Sequence, residues 1–496
     1  MNKNQVYNPY LPLDEYIPDG EPHVFGDRVY LYGSHDKEGG HTFCMEDYTV
    51  YSAPVDDLSQ WRKEGVIYRA EQDPNYAERP YMYAPDVVQG NDGRYYLYYC
   101  MSGEYGVGGY FGPISVAVCD TPAGKYEYLG FVRYPDGTPM SDYVCFDPCA
   151  FNDNGIIRIY YGTQYMNESN EIFASDPDKL AEVCKRFNKS PEEVLGTPDN
   201  VNGACMVVLE DDMLTVKENP KHIIPYEADF GGHEFFEASS LRKVGDKYYF
   251  VFSSQKNHEL CYAVSDFPDR DFVYGGTIVS NGDVGINGIT DEKRLNMTGT
   301  THGSIIEING EWYVFYHRLT HKSDYSRQAC AEKITIEQDG SIKQVEITSC
   351  GLNGKPLVGM GTYPAVIACN ITNGRMPHGS NKIFTESFPN VTNSGDERYI
   401  GEICDGTLIG FKYFEFGKSE KLGIVFRGEK NSDYAGKLLV YLSEPSDKPS
   451  AEITLPSGCI EWTKLFTEIN FPDGKSPLSL IYKGSGCIEL KEIVFV

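Results

Sequence analysis

Basic charge is scarce in this chain: 44 lysines and arginines face 72 aspartates and glutamates among 496 residues, a formal net charge of −28. Such a field repels phosphate backbones and anionic lipid, which excludes nucleic acid and membrane surfaces as expected partners and suits a neutral substrate. Long apolar runs are missing too. No stretch of about 18 apolar residues occurs, and the segment Met1 to Pro12 lacks the basic-then-apolar pattern of a secretory signal. A soluble, cytoplasmic protein is expected. Paired cysteines are also rare, because the fourteen are scattered singly and several (Cys119, Cys261, Cys330) sit in apolar strand contexts. They read as reduced buried thiols rather than a disulfide framework. Cys145 and Cys149 flank Asp147, but no second pair stands nearby to complete a zinc site.

What the chain does have is a repeat. Five times, an acidic residue or a histidine precedes by seven or eight positions a glycine that opens a Tyr/Phe-rich run: Asp19 before Gly26, Asp86 before Gly93, Asp147 before Gly155, Glu237 before Gly245 and His302 before Gly310. The runs are too short and too rich in aromatic and β-branched residues for helices, so they read as strands. A second short run and a turn follow, as in Ser115-Val-Ala-Val-Cys-Asp and Cys261-Tyr-Ala-Val-Ser-Asp, leaving room for about four strands per repeat. Polar residues at one offset in equivalent units occupy equivalent places, and in a closed ring they converge near its axis. Four carboxylates and an imidazole crowded together are costly, and such cost marks a functional site.

The glycine spacings of 67, 62, 90 and 65 residues suit a five-bladed β-propeller with elaborated loops. The 90-residue interval contains positions 176 to 200, where Ser190-Pro-Glu-Glu carries a helix-start signal and predicts a helical excursion at the rim. The repeat then stops. The expected organisation is all-β: a propeller over 1–345, a Gly- and Pro-bearing linker over 346–379, and a C-terminal β-sandwich over 380–496.

Converging carboxylates are what glycosidic bond cleavage requires, because one must protonate the leaving oxygen while another activates water or attacks carbon. The residues also resemble glycoside hydrolase family 43, enzymes built on a five-bladed propeller that cleave arabinofuranosyl or xylosyl linkages with inversion. The resemblance rests on Pro18-Asp-Gly-Glu-Pro-His-Val-Phe leading to Tyr30-Leu-Tyr-Gly-Ser-His-Asp, then Tyr83-Ala-Pro-Asp, Phe146-Asp-Pro, Phe236-Glu-Ala-Ser and His302-Gly-Ser-Ile-Ile-Glu-Ile, in the family's order. It implies Asp19 as general base, Glu237 as general acid, and Asp147 as a third carboxylate that raises the acid's pKa and orients it. Glu21 is a rival base, but the spacing to Gly26 favours Asp19. Substrate contacts are implied for Tyr83, Asp86, Phe236, His302 and Arg327. Asp86 has two roles open to it, a bond to sugar hydroxyls or pinning of the inner strand. His302 resembles an axial histidine that in some relatives binds water or a calcium ion, so calcium at the axis is a possible addition to an enzyme that requires no cofactor.

The tail resembles carbohydrate-binding module family 6 through Gly410-Phe-Lys-Tyr-Phe-Glu-Phe, Gly436-Lys-Leu-Leu-Val-Tyr and Glu461-Trp. That family's opening acidic-ligand pattern is not recognisable where Phe384-Thr-Glu-Ser-Phe-Pro stands, which favours packing against the propeller, drawing on Phe411, Phe414 and Trp462. The function expected is an exo-acting inverting glycosidase releasing arabinofuranose from plant cell-wall oligosaccharides derived from arabinoxylan or arabinan. β-Xylosidase or bifunctional activity is the alternative, and a non-catalytic glycan-binding propeller the alternative of another class. A retaining fructosidase-type propeller would carry Asn-Asp-Pro-Asn, Arg-Asp-Pro and Glu-Cys motifs, which are absent.

Overall fold

The computed structural model describes residues 5–103, 112–164, 176–187, 189–195, 201–225, 227–430, 432–443, 445 and 448–496. Up to residue 334 the described chain is dominated by five small antiparallel sheets, in each of which strands adjacent in sequence pair. Sheets I to IV have four strands and begin with Glu21–Phe25, Tyr81–Gln89, Cys149–Asp153 and Phe235–Val244. Sheet V, beginning with Ser304–Ile308, has three rather than the four expected.

Each repeat glycine closes the hairpin after its sheet's first strand. All five have positive φ, from 60° to 94°. At Asn154-Gly155 and Asn309-Gly310 both turn residues are left-handed, and the flanking pairs Asp153–Ile156 and Ile308–Glu311 enclose them as two-residue turns. That conformation matches the strand twist and selects Asn-Gly. The first strands touch in a closed cycle, I to II to III to IV to V and back to I. A bridge between Gly20 and Gly303 ties the last sheet to the first. Five apolar clusters lie between successive sheets; Val87 and Leu97 of sheet II, for example, meet Tyr32 and Val50 of sheet I. Val29 and Leu31 likewise meet Phe315 and Ala329, packing sheet V against sheet I.

The insert is helical, as Pro177–Phe187 and Pro191–Leu195. The Ser190 hydroxyl accepts from the Glu193 backbone N–H at 3.2 Å while Glu193 accepts from the Ser190 N–H at 2.6 Å, a reciprocal cap. Positions 196–200 of that expectation lie outside the described residues. No helix among the described residues is long and apolar enough to cross a membrane.

The C-terminal part forms two six-stranded sheets around one apolar core. The linker expectation needs correction. Within it, Leu357–Val358 and Asn370–Thr372 pair with Leu408–Phe416, and Gly361–Pro364 pairs with Ile488–Phe495, so the segment is built into the tail's sheets. Phe411 and Phe414 are fully buried in the tail's own core instead of facing the ring. Trp462 donates to Glu397 beneath the Arg427 guanidinium. One apolar junction is Met376, Phe384 and Phe388 against Met297 and Leu319. Around it, Arg398 meets Glu38 at 2.7 Å, Lys322 meets Glu402 at 2.6 Å, and Lys412 meets the fully buried Asp283 at 3.1 Å. Twelve cysteines are free, and Cys404 and Cys487 form a disulfide, one pairing the scattered sequence pattern did not reveal.

Candidate active site

An extended strand advances about 3.3 Å per residue, so a residue six positions before the end of a first strand stands at the end opposite the hairpin. Asp19, Asp147 and His302 hold that place, counting back from Phe25, Asp153 and Ile308. Glu237 stands seven before Val244, the extra residue being absorbed by register shifts around Glu237. These four side chains line one pocket with Tyr83, Phe236 and Arg327, as the sequence predicts, and with Phe43, Phe146 and Thr300.

Asp86 does not line it. In sheet II the hairpin loop runs from Gly90 to Arg94, between the paired Gln89 and Tyr95. Asp86 therefore stands three residues from the last pair, deeper along the axis, and Tyr83 takes the place equivalent to Asp19. Asp86 is fully buried, taking His23 Nε2 at 2.6 Å on one carboxyl oxygen and the Ala150 N–H at 2.8 Å on the other. It pins inner strands together rather than meeting a ligand.

The pocket backbone is strained. Asp19, Cys44, Ala84, Asp147 and Ala238 all have positive φ, between 37° and 68°. Each such non-glycine residue costs about 1–3 kcal/mol, and their clustering here marks a site whose geometry the surroundings enforce.

Two arrangements set the electrostatics. Arg327 forms a bidentate pair with Asp36, Nε to Oδ2 at 2.8 Å and the second terminal nitrogen to Oδ1 at 3.0 Å, while its other terminal nitrogen reaches Asp19 at 2.8 Å. Burial alone would raise the Asp19 carboxyl, but this guanidinium holds it below the ordinary range. His317 accepts from the Asp19 N–H on Nδ1 at 3.4 Å and donates from Nε2 to the Thr300 carbonyl at 2.9 Å. Burial and Arg327 push its pKa down to about 3, which matches that neutral tautomer. The opposite happens across the pocket. Burial, then the Asp147 and Asp19 charges, drive Glu237 well above the usual carboxyl range. Asp147 is raised as well, by burial and then Asp19, and its Oδ2 accepts from the Ala238 N–H at 3.0 Å.

Arg327 is thus a buried clamp on Asp19 as well as a wall residue. Asp36, its partner, stands in the motif Gly33-Ser-His-Asp, whereas His317 and Asp324 lie in no motif of the repeat. Ser380 and Asn381, from the C-terminal part, also line the pocket.

The donor set at the axis is poor in free oxygens. His302 Nε2 and Glu21 Oε1 stand 3.9 Å apart, and that oxygen is buried without a hydrogen-bond partner among the described residues. The other Glu21 oxygen is taken by Arg242 at 2.6 Å and Ser240 at 3.1 Å. His23 and Asp86 also cluster with Glu21, but they are bonded to each other at 2.6 Å; one free carboxylate oxygen, one paired carboxylate and two imidazoles fall short of the six to eight oxygens calcium takes, and Arg242 already supplies a cation there. The residues do not fit a calcium cage.

Residues 8–342 match the family model described as glycosyl hydrolases family 43. The chain is 44% identical to a xylosidase/arabinosidase of Thermoclostridium stercorarium over 99% of its own length and 98% of the relative's. It is 31% identical to xylosidase/arabinosidase 43A of Humicola insolens over 66% of this chain and 96% of that one. A solved structure of CoXyl43, a β-xylosidase/α-arabinofuranosidase from a compost microbial metagenome in calcium-free complex with xylotriose, superposes with a TM-score of 0.50 at 26% identity, covering 67% of this chain and 95% of the other.

Proposed function

Because the chain belongs to glycosyl hydrolase family 43 and is a glycosidase, we propose that it is an exo-acting, inverting enzyme that releases a terminal pentose, α-L-arabinofuranose or β-D-xylose, from xylan- or arabinan-derived oligosaccharides. The ring of five sheets is read as a five-bladed β-propeller carrying the site, and the C-terminal part as a β-sandwich packed against it. One observation carries the reading. Two carboxyls in one pocket are pushed in opposite directions, Asp19 toward the ionised form and Glu237 toward the protonated form, which is how an acid and a base are told apart.

In this mechanism Asp19, ionised beside Arg327, takes a proton from the attacking water. Glu237 gives its proton to the leaving oxygen, and Asp147 holds Glu237 protonated by like-charge repulsion. The aromatic wall of Phe43, Tyr83, Phe146 and Phe236 gives the sugar ring apolar faces to lie against. The relatives' names, joining xylosidase and arabinosidase, support action on both sugars. Twelve free thiols against one disulfide support action in the cytoplasm.

Nitrophenyl arabinofuranoside and xylopyranoside assayed side by side, with the nascent sugar followed by proton NMR, test the proposal. The first-formed product from the β-xyloside is expected to be α-xylose, and β-xylose would overturn inversion. Asp147→Asn gives a second result. Removing the repulsion lets Glu237 lose its proton more readily, so the alkaline limb of kcat/KM is expected to move to lower pH. A limb that stays in place would count against the role given to Asp147.

A further inference from the structure

The pocket is not built by the family segment alone. Ser380 and Asn381 lie on its wall, yet they fall outside residues 8–342, which the family model matches. What brings them there is a run of bonds between positions 377–384 and two inner segments of the ring. Thr298 donates its N–H to the Pro377 carbonyl at 3.1 Å, and Gly379 donates back to the Thr298 carbonyl at 3.1 Å. Asp324 donates its N–H to the Lys382 carbonyl at 3.0 Å, and Phe384 donates to the Lys322 carbonyl at 2.7 Å. Asn257 donates to the Ser380 hydroxyl at 2.5 Å. A strap held at both ends in this way keeps its backbone in one place.

The anchor is Asp324, fully buried. One of its oxygens accepts from the Asn381 N–H at 2.8 Å, the other from the Thr300 N–H and hydroxyl, both at 3.0 Å. Thr300 in turn accepts from His317, which accepts from the Asp19 N–H. A continuous hydrogen-bonded path thus joins the strap to the backbone of the proposed base.

The position of Asn381 says which part of a substrate it would meet. The axial carboxylates are nearly inaccessible, Asp19 at 6% and Asp147 at 4%, whereas Asn381 is exposed at the mouth. In a blind pocket the terminal sugar occupies the floor, and the rest of the oligosaccharide leaves through the mouth. We propose that Asn381, with Ser380 beside it, forms a subsite wall for the sugar on the leaving-group side, so that the C-terminal part of this chain reads the oligosaccharide while the family segment carries out the cleavage. This rests on the glycosidase reading above. The ligand class is a neutral pyranose or furanose whose hydroxyls bond the Asn381 amide, which has no other hydrogen-bond partner among the described residues.

The test exploits a substrate without those hydroxyls. A nitrophenyl ring fills the leaving-group side but offers the amide no sugar hydroxyl. Asn381→Gly is the informative variant, because the residue has φ 55° and glycine keeps that backbone without strain. The expected result is a rise of about 3- to 10-fold in KM for xylotriose, the worth of a lost hydrogen bond. Nitrophenyl xyloside and arabinofuranoside turnover should fall by less than the loss on xylotriose. No change on xylotriose, or an equal loss on all three substrates, would overturn the proposal. Xylotriose binding is measured in parallel by calorimetry in a Glu237→Gln background, where the same weakening is expected. If the unmodified enzyme cleaves neither aryl glycoside, the functional reading fails, while the calorimetric comparison still decides the wall. If thermal melting shows Asn381→Gly to be misfolded, Ser380→Ala must show the same selective weakening on xylotriose, and its absence overturns the proposal.

Discussion

Replacing Glu237 by glutamine is expected to lower kcat/KM on unactivated oligosaccharides such as xylotriose by about 10²- to 10⁴-fold, the range for a lost general acid. Glutamine has nearly the same shape, so the pocket should keep its form and its ligand. What disappears is the proton. Glu237 holds it because burial and the neighbouring Asp147 and Asp19 charges make ionisation costly, and an amide has no acidic proton to pass to the leaving oxygen. Nitrophenolate departs without protonation, so aryl glycosides should lose far less activity. Steady-state rates on both substrate classes check this, and equal losses would remove Glu237 from the role of acid.

Ending the chain at residue 350 is expected to abolish activity altogether and to give insoluble protein. The cut removes Met376, Phe384 and Phe388 from Met297 and Leu319, uncovering an apolar face. It also takes Lys412 and Asn370 from Asp283, whose carboxylate they satisfy at 3.1 Å each in a fully buried position. Breaking such a buried pair costs about 3–5 kcal/mol, a large share of a typical domain's stability. The strap over Asp324 goes as well, leaving that acid without the Asn381 N–H and the pocket without one wall. Expression of residues 1–350, followed by solubility and aryl-glycoside turnover, checks the outcome. A soluble and fully active fragment would mean that the tail is a tethered module with no part in the site.

Much of this molecule was legible in local pattern. Hairpin glycines with positive φ are dictated by turn geometry, and aromatic, β-branched runs of strand length can become little else. A constant offset between such a glycine and a polar residue therefore locates that residue at the far end of an inner strand. Asp19, Asp147, Glu237 and His302 followed from that argument. Asp86 did not, because the offset presumes turns of similar length and the sheet II turn is five residues long, from Gly90 to Arg94. The measuring point moved while the spacing stayed the same. The helix cap at Ser190 was equally local, since its two hydrogen bonds span three residues.

The sequence by itself determined the strands, the fivefold repeat and the residue types that meet at the axis, because each depends on neighbours within about ten positions, where turn and strand geometry act. Only the tertiary structure decided which charges those residues keep. Arg327 meets Asp19 across 308 positions and Asp36 across 291, and nothing in the local sequence of either partner encodes that meeting. The opposite pKa shifts of Asp19 and Glu237 and the wall at Ser380 and Asn381 all arise from segments brought together by closing the ring and docking the tail, and a pKa answers to what surrounds a group in space rather than to what precedes it in the chain.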